Sequence, residues 1–166
     1  MAHSILVVDD HQLVLDGLVS IINELDDFEI IATAGNGKEG LRLAEMFRPS
    51  IILMDIDMPG IDGISATTEV LKSRPQMKVV ILSMHLNSLK IQEAVAANVK
   101  GYLLKTSSDT EVAEAIESVM QGNDYFSKEA QAELIDSYRR KEDPNYSELT
   151  HREIEILKLV CEELNS

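Results

Sequence analysis

Residues Ile51 to Gly63 read I-I-L-M-D-I-D-M-P-G-I-D-G. The apolar run Ile51 to Met54 stops abruptly at Asp55. So short an apolar run, bounded by polar and turn residues, reads as a strand buried on both faces, as in a parallel sheet between two helix layers. Asp55 then lies at the strand's carboxyl end, the edge where open α/β sheets form ligand crevices. Met58-Pro59-Gly60 supplies the turn. Taken singly, Asp55 could equally cap the next element. Its neighbours along the same edge decide between the two.

Working outward, Ile5 to Val8 is another apolar run and ends at Asp9-Asp10. From His11 the period becomes helical, through Leu13, Val14, Leu18, Ile21, Ile22 and Leu25. Phe28 to Ala34 is a second strand-like stretch, and Gly35-Asn36-Gly37 leads into a helix that Pro49 stops. Beyond the Ile51 strand come a helix over about 64–73, the run Val79 to Leu82 ending at Ser83, and a helix over about 89–97. Tyr102-Leu103-Leu104 ends at Lys105. Ser108 and Glu111 have capping-box spacing and open a last helix that runs to about Gln121 before Gly122. Five strands alternating with five helices give an α/β fold: a five-stranded parallel sheet with helices on both faces.

The domain divisions follow. Residues 1–122 form the α/β unit, and 123–148 a partly helical linker. In the latter, 127–140 has a narrow stripe of Ala130, Leu134, Ile135 and Tyr138, and 141–147 reads as irregular. Residues 149–166 hold one more helix. Thr150 and Glu153 have capping-box spacing, Leu149 and Ile154 are placed as a staple, and Ile154, Leu157, Val160, Cys161 and Leu164 share a face, with Cys161 read as a core position. A lone short helix is marginal in water, so this one is expected to need partners from outside the chain.

With 166 residues and 45% hydrophobic content, the chain can bury one sizeable core and a small appendage. A net charge of −14 argues against binding nucleic acid or anionic membrane through bulk charge. One cysteine excludes an internal disulfide framework, no apolar run approaches a membrane span, and the start carries no leader features. The expectation is a cytoplasmic protein that does not bind membrane.

In a parallel sheet Asp9, Asp10, Asp55, Ser83 and Lys105 all lie along one edge. Three clustered carboxylates are unfavourable without a cation, and hard oxygen ligands suit Mg²⁺. A phosphoryl group is then the natural second guest. Asp55 can attack phosphorus as a carboxylate nucleophile, Mg²⁺ on Asp9 or Asp10 would neutralise phosphoryl oxygens, Lys105 would contact another, and Ser83 offers a hydroxyl. Each residue also has an ordinary use as cap, turn residue or solvated charge. Chance would have to place all of them at the correct ends of four strands.

The acid pair Asp9-Asp10, the pattern D-x-x-M-P-x-x-x-G (Asp55, Met58, Pro59, Gly63), Ser83 and Lys105 together resemble the receiver domain of two-component response regulators over residues 1 to about 122. The resemblance implies that Asp55 is the phosphoacceptor, that Asp10 binds Mg²⁺ directly and Asp9 through a water, that Asp57 adds its backbone carbonyl, and that Ser83 and Tyr102 are the switch pair. Met84 stands where many receivers have a small residue, and Thr106 where many have proline. His85 reads as a loop residue.

Leu149 to Cys161, L-T-H-R-E-I-E-I-L-K-L-V-C, resembles the opening of the LuxR-type helix-turn-helix of the nitrate-regulator class, here cut short, with Glu163 to Ser166 departing from the usual G-x-S-N. Residues 123–166 hold 11 acidic and 6 basic residues, so they form no DNA footprint. The resemblance implies a switch rather than an enzyme. A sensor histidine kinase phosphorylates it, it forms a homodimer when phosphorylated, and it reaches DNA only through C-terminal helices that these residues do not include. Two other readings stay open. Asp55-Ile56-Asp57 fits the D-x-D start of haloacid dehalogenase-like phosphatases, although there the acid pair comes late and Met58-Pro59 does not match. The other is a degenerate receiver that only binds protein.

Overall fold

A computed structural model describes residues 1–140 and 151–164. The sheet is built from β1 (His3–Val8), β2 (Phe28–Ala34), β3 (Ile51–Asp55), β4 (Lys78–Ser83), β5 (Gly101–Leu104) and β6 (Tyr125–Phe126). All the pairings are parallel, and the order is β2-β1-β3-β4-β5-β6. The helices that connect these six strands in turn are α1 (Gln12–Asn23), α2 (Gly37–Phe47), α3 (Gly63–Ser73), α4 (Ser88–Ala96) and α5 (Asp109–Met120), followed after β6 by α6 (Lys128–Arg140) and α7 (His151–Leu164). The five expected strands and five expected helices are present. β6 is a sixth strand, two residues long, which the sequence reading did not foresee.

Side chains alternate across each strand, so the sheet has two cores. Leu6, Val8, Ile52, Met54, Val79, Ile81 and Tyr102 face α2, α3 and α4. Ile5, Val7, Ile51, Leu53, Val80, Leu82 and Leu103 face α1 and α5. β3 is central and buried at all five positions, as its unbroken apolar run requires. Helix starts are fixed by side-chain caps: Asn36, Asp62, Asn87 and Ser108 each accept a backbone N–H from the first turn of the helix they precede. His11 occupies the cap position of α1 without a side-chain bond, so neither Asp9 nor Asp10 is used as a helix cap.

Past Gly122 the chain stays on the α/β unit. β6 pairs with β5, and Ala130 and Leu134 of α6 join the core on the α4 side. α7 lies against α4, with Ile156 and Val160 buried. The partner expected from outside the chain is therefore α4. Cys161 is exposed and not a core position, because the buried stripe runs through Ile156 and Val160. Arg152 fastens the start of α7: it pairs with Asp124 at 2.5 Å and donates to the Val99 carbonyl at 2.9 Å. The irregular segment 141–147, the staple residue Leu149, the cap Thr150 and the terminal Ser166 lie outside the described residues.

Candidate functional site

The carboxyl ends of β1, β3, β4 and β5 meet at one edge. β3 enters it fully buried, and Ile56 N–H donates to the Leu82 carbonyl at 3.1 Å, which keeps the chain beyond Asp55 against β4. It then turns so tightly that Gly63 N–H donates to the Ile56 carbonyl at 2.9 Å. A Cβ on Gly63 would sit 1.8 Å from the Asp55 carbonyl oxygen, so only glycine lets α3 start there. Gly60, with φ of +82°, supplies the left-handed residue within the same turn.

Asp9 and Asp55 are buried, and Lys105, 3% exposed, lies between them. Its Nζ is 2.7 Å from Asp9 Oδ2 and 3.0 Å from Asp55 Oδ1. Asp57 N–H also donates to Asp55 Oδ1, at 3.3 Å. The other oxygen, Asp55 Oδ2, is buried and accepts no hydrogen bond. Asp10 is more open, at 27% exposure. Ser83 closes the β4 side. Its Oγ donates to the His85 carbonyl at 2.9 Å and accepts from His85 N–H at 3.3 Å. Ser83 O accepts from Lys105 N–H at 2.8 Å, which ties the two strand ends together.

Burial raises the Asp55 carboxyl to about 6 and the Asp9 charge adds to the rise, while the hydrogen bond and charge of Lys105 and the Asp57 N–H work against it. Burial by itself would lower the Lys105 ammonium, but its bonds to Asp9 and Asp55 outweigh that and hold it above the ordinary lysine value. At neutral pH the Asp55 carboxylate and the Lys105 ammonium are therefore both charged.

Tyr102 is already fully buried, turned inward, and stacks on Phe126 at 6.5 Å between ring centroids. The two residues are register partners in the β5–β6 pair, and Ser127 N–H donates to the Tyr102 carbonyl at 2.9 Å. Burial raises the phenol above its usual value. The Ser83 hydroxyl pulls it down and the Asp57 charge pushes it up, so Tyr102 shares an environment with both. Met84 and His85 follow Ser83 in an exposed loop.

The fold thus gathers Asp9, Asp10, Asp55, Asp57, Ser83, Tyr102 and Lys105 at one edge. It also brings in a residue that sequence reasoning used only as the start of a helix. Ligand-type atoms of Asp9, Asp10, His11 and Asp55 all lie within 4.8 Å of one another. The clue was a second metal-binding residue type directly after the acid pair. The donor set fits a divalent cation: three carboxylates cluster together, one ammonium pairs with two of them, and Asp55 Oδ2 has no hydrogen-bond donor of its own.

A family model for the response regulator receiver domain matches residues 5–117. The response regulator protein VraR of Staphylococcus epidermidis is 34% identical over 161 residues, covering 97% of this chain and 77% of VraR. A LuxR-family two-component response regulator from Aurantimonas superposes with a TM-score of 0.79 at 29% identity, over 84% of this chain and 99% of that one. A DNA-binding response regulator of the LuxR family from Staphylococcus aureus does so with a TM-score of 0.68 at 30% identity, over 71% and 98%. The comparisons lend no support to the phosphatase reading, and the site keeps the receiver order, with the acid pair first. The chain belongs to the response regulator receiver family, among response regulators of the LuxR class.

Proposed function

We propose that Asp55 is the phosphoacceptor of this receiver, that Lys105 and Ser83 bind the phosphoryl oxygens, and that Ser83 and Tyr102 form the switch. The asymmetry of the Asp55 carboxylate carries the reading. Oδ1 is held by Lys105 and Asp57 N–H, which fixes the carboxylate plane, while Oδ2 accepts nothing and is the oxygen free to attack. The donor is the phosphohistidine of a sensor histidine kinase. An Asp55 Oδ2–P bond forms, the N–P bond breaks, and the electron pair stays on the kinase imidazole.

Asp9, Asp10 and Asp55, with the Asp57 carbonyl, are the residues that would hold Mg²⁺, Asp10 directly and Asp9 through water. The bound ion supplies positive charge against the phosphoryl oxygens. Lys105 does the same from the opposite side through its ammonium. Ser83 must leave the His85 carbonyl to donate to the phosphoryl group, so the loop 84–87 and the start of α4 lose a tether and move. Tyr102 is already inward, so the modified state keeps this ring position while the α4 surface shifts around it. The output is a homodimer, acting on DNA through the helix-turn-helix that 149–166 resembles, with 1–122 as the receiver and 123–148 as the link.

The test is incubation with a small acyl-phosphate donor and Mg²⁺, followed by mass analysis for a hydroxylamine-labile adduct. The expected result is one adduct on the natural chain and none on Asp55→Asn. Comparable labelling of Asp55→Asn would refute the assignment.

A further inference from the structure

We infer that Phe126 is a positioning residue that holds the Tyr102 ring inward before any modification of Asp55, so that the C-terminal extension, and not a phosphoryl group, sets this ring. The inference rests on the switch assignment proposed above and adds the residue that fixes one half of the switch.

The sheet shows how the ring is held. Tyr102 has a register partner on each neighbouring strand, Ile81 on β4 and Phe126 on β6, and all three side chains are buried in the same core. Ile81 belongs to the body of the sheet. On the other side β6 is the last strand, and a ring leaving the core past the edge of β5 would have to cross Phe126. The two rings are stacked, 9° from parallel with centroids 6.5 Å apart, within the range of offset aromatic pairs. A packed interior has no spare volume of ring size, so Tyr102 turns outward only if Phe126 moves first.

Phe126 is itself anchored. Tyr125 N–H donates to the Lys100 carbonyl at 2.9 Å and Ser127 N–H to the Tyr102 carbonyl at 2.9 Å, so the backbone on either side of Phe126 is bonded across to β5. The Phe126 carbonyl accepts from Gln131 Nε2 at 2.7 Å, and Ser127 Oγ accepts from Ala130 N–H at 3.2 Å, which fastens β6 to the first turn of α6. Ala130 and Leu134 of that helix extend the same core. Gly101 makes the close approach of β6 possible, since a Cβ there would lie 3.0 Å from the Tyr125 carbonyl oxygen.

The hydroxyl of Tyr102 does not hold the ring. It is buried with no hydrogen-bond partner among the described residues, while Ser83 Oγ is engaged with the His85 carbonyl. An unpaired buried hydroxyl favours the outward ring, where water would satisfy it. The packing of Phe126 overrides that preference and leaves phosphorylation to act through Ser83 and α4. α4 is in turn tied to α6, where Gln92 Nε2 donates to Ser137 Oγ at 2.9 Å.

The chain has four tyrosines, so ¹³Cε-labelled tyrosine gives few signals, and Tyr102→Phe identifies the one from Tyr102. Broadening by a neutral, soluble paramagnetic chelate then reads the exposure of that ring. In the natural chain the signal should stay protected both without a donor and with acyl phosphate and Mg²⁺. In Phe126→Ala it should lose protection in the unmodified protein and regain it once Asp55 is phosphorylated. Phe126→Leu, which refills the space, should stay protected throughout. Unchanged amide protection in β1 and β3 checks that the variants fold. A Tyr102 ring as well protected in unmodified Phe126→Ala as in the natural chain overturns the inference. So does a ring in the natural chain that passes from exposed to protected on phosphorylation, a measurement that needs no variant. The comparison without donor tests Phe126 alone, so an Asp55 that takes no label would refute the phosphoacceptor reading and not this one.

Discussion

At the scale of single residues, Asp55 stands against the fold's own stability. Its carboxyl is raised from 3.8 to about 6, mainly by burial, with the Asp9 charge assisting and Lys105 resisting. A group whose folded pKa is raised contributes fully below its ordinary value, and that contribution is lost as pH climbs through the folded value. The loss here falls between about pH 4 and pH 6. Asp55→Asn, with metal chelated at pH 7.5, should therefore be more stable than the natural chain by about 1–2 kcal/mol. This is less than the full shift implies, because the Lys105 contact is weakened as well. The difference should shrink toward zero below pH 4, the ordinary carboxylate range. Urea midpoints of both proteins across this range check it, and a variant that is less stable at neutral pH would mean that the Lys105 pair outweighs burial. Such a cost is the one expected of a buried carboxylate whose charge a bound cation would stabilise.

Among the elements, what could be read in the sequence was what local chemistry determines. The β3 run ends at Asp55 because the residues beyond it are turn formers, and the Ser108–Glu111 spacing places the start of α5, where Ser108 Oγ accepts Glu111 N–H at 3.1 Å. The bringing together of four strand ends followed from parallel pairing alone. β6 was not legible, since two residues cannot display a period, and its pairing depends on the Gly101–Tyr102 backbone across the sheet. His11 follows the acid pair directly, but nothing in that spacing shows that its ring turns toward Asp9 and Asp10. α7 showed its helical period but not its partner. Its docking is tertiary, through Ile156, Val160 and the Arg152 contacts with Asp124 and the Val99 carbonyl. Arg152→Ala leaves that carbonyl and a largely buried Asp124 without their donor, a loss worth about 1–3 kcal/mol. Amide exchange in α7 should quicken accordingly while β1 and β3 stay protected, and unchanged α7 exchange would show that the apolar stripe suffices by itself.

For the whole molecule, charge and layering set what the chain can do with DNA. The protein carries a net charge of −14, and its C-terminal 44 residues are acidic as well, with 11 acids against 6 bases. Counterion release, the main source of non-specific affinity, needs several basic side chains on one face, and none of the described helices past α5 offers such a face. α7 resembles the opening helix of a helix-turn-helix, but that helix crosses the backbone, while the element after it enters the major groove. Its buried stripe is meanwhile committed to α4. If Asp55 is phosphorylated as proposed, a shift of α4 adds no basic face to the described residues. The 166-residue protein should thus bind a labelled duplex no more tightly than the roughly 10⁻⁴–10⁻⁶ M typical of non-specific contacts at physiological salt, with or without acyl-phosphate treatment. Fluorescence anisotropy at two salt concentrations measures this. Sub-micromolar binding that depends on phosphorylation and persists at high salt would show that α7 and its neighbours read DNA on their own, and that the α4 contact is released when Asp55 is modified.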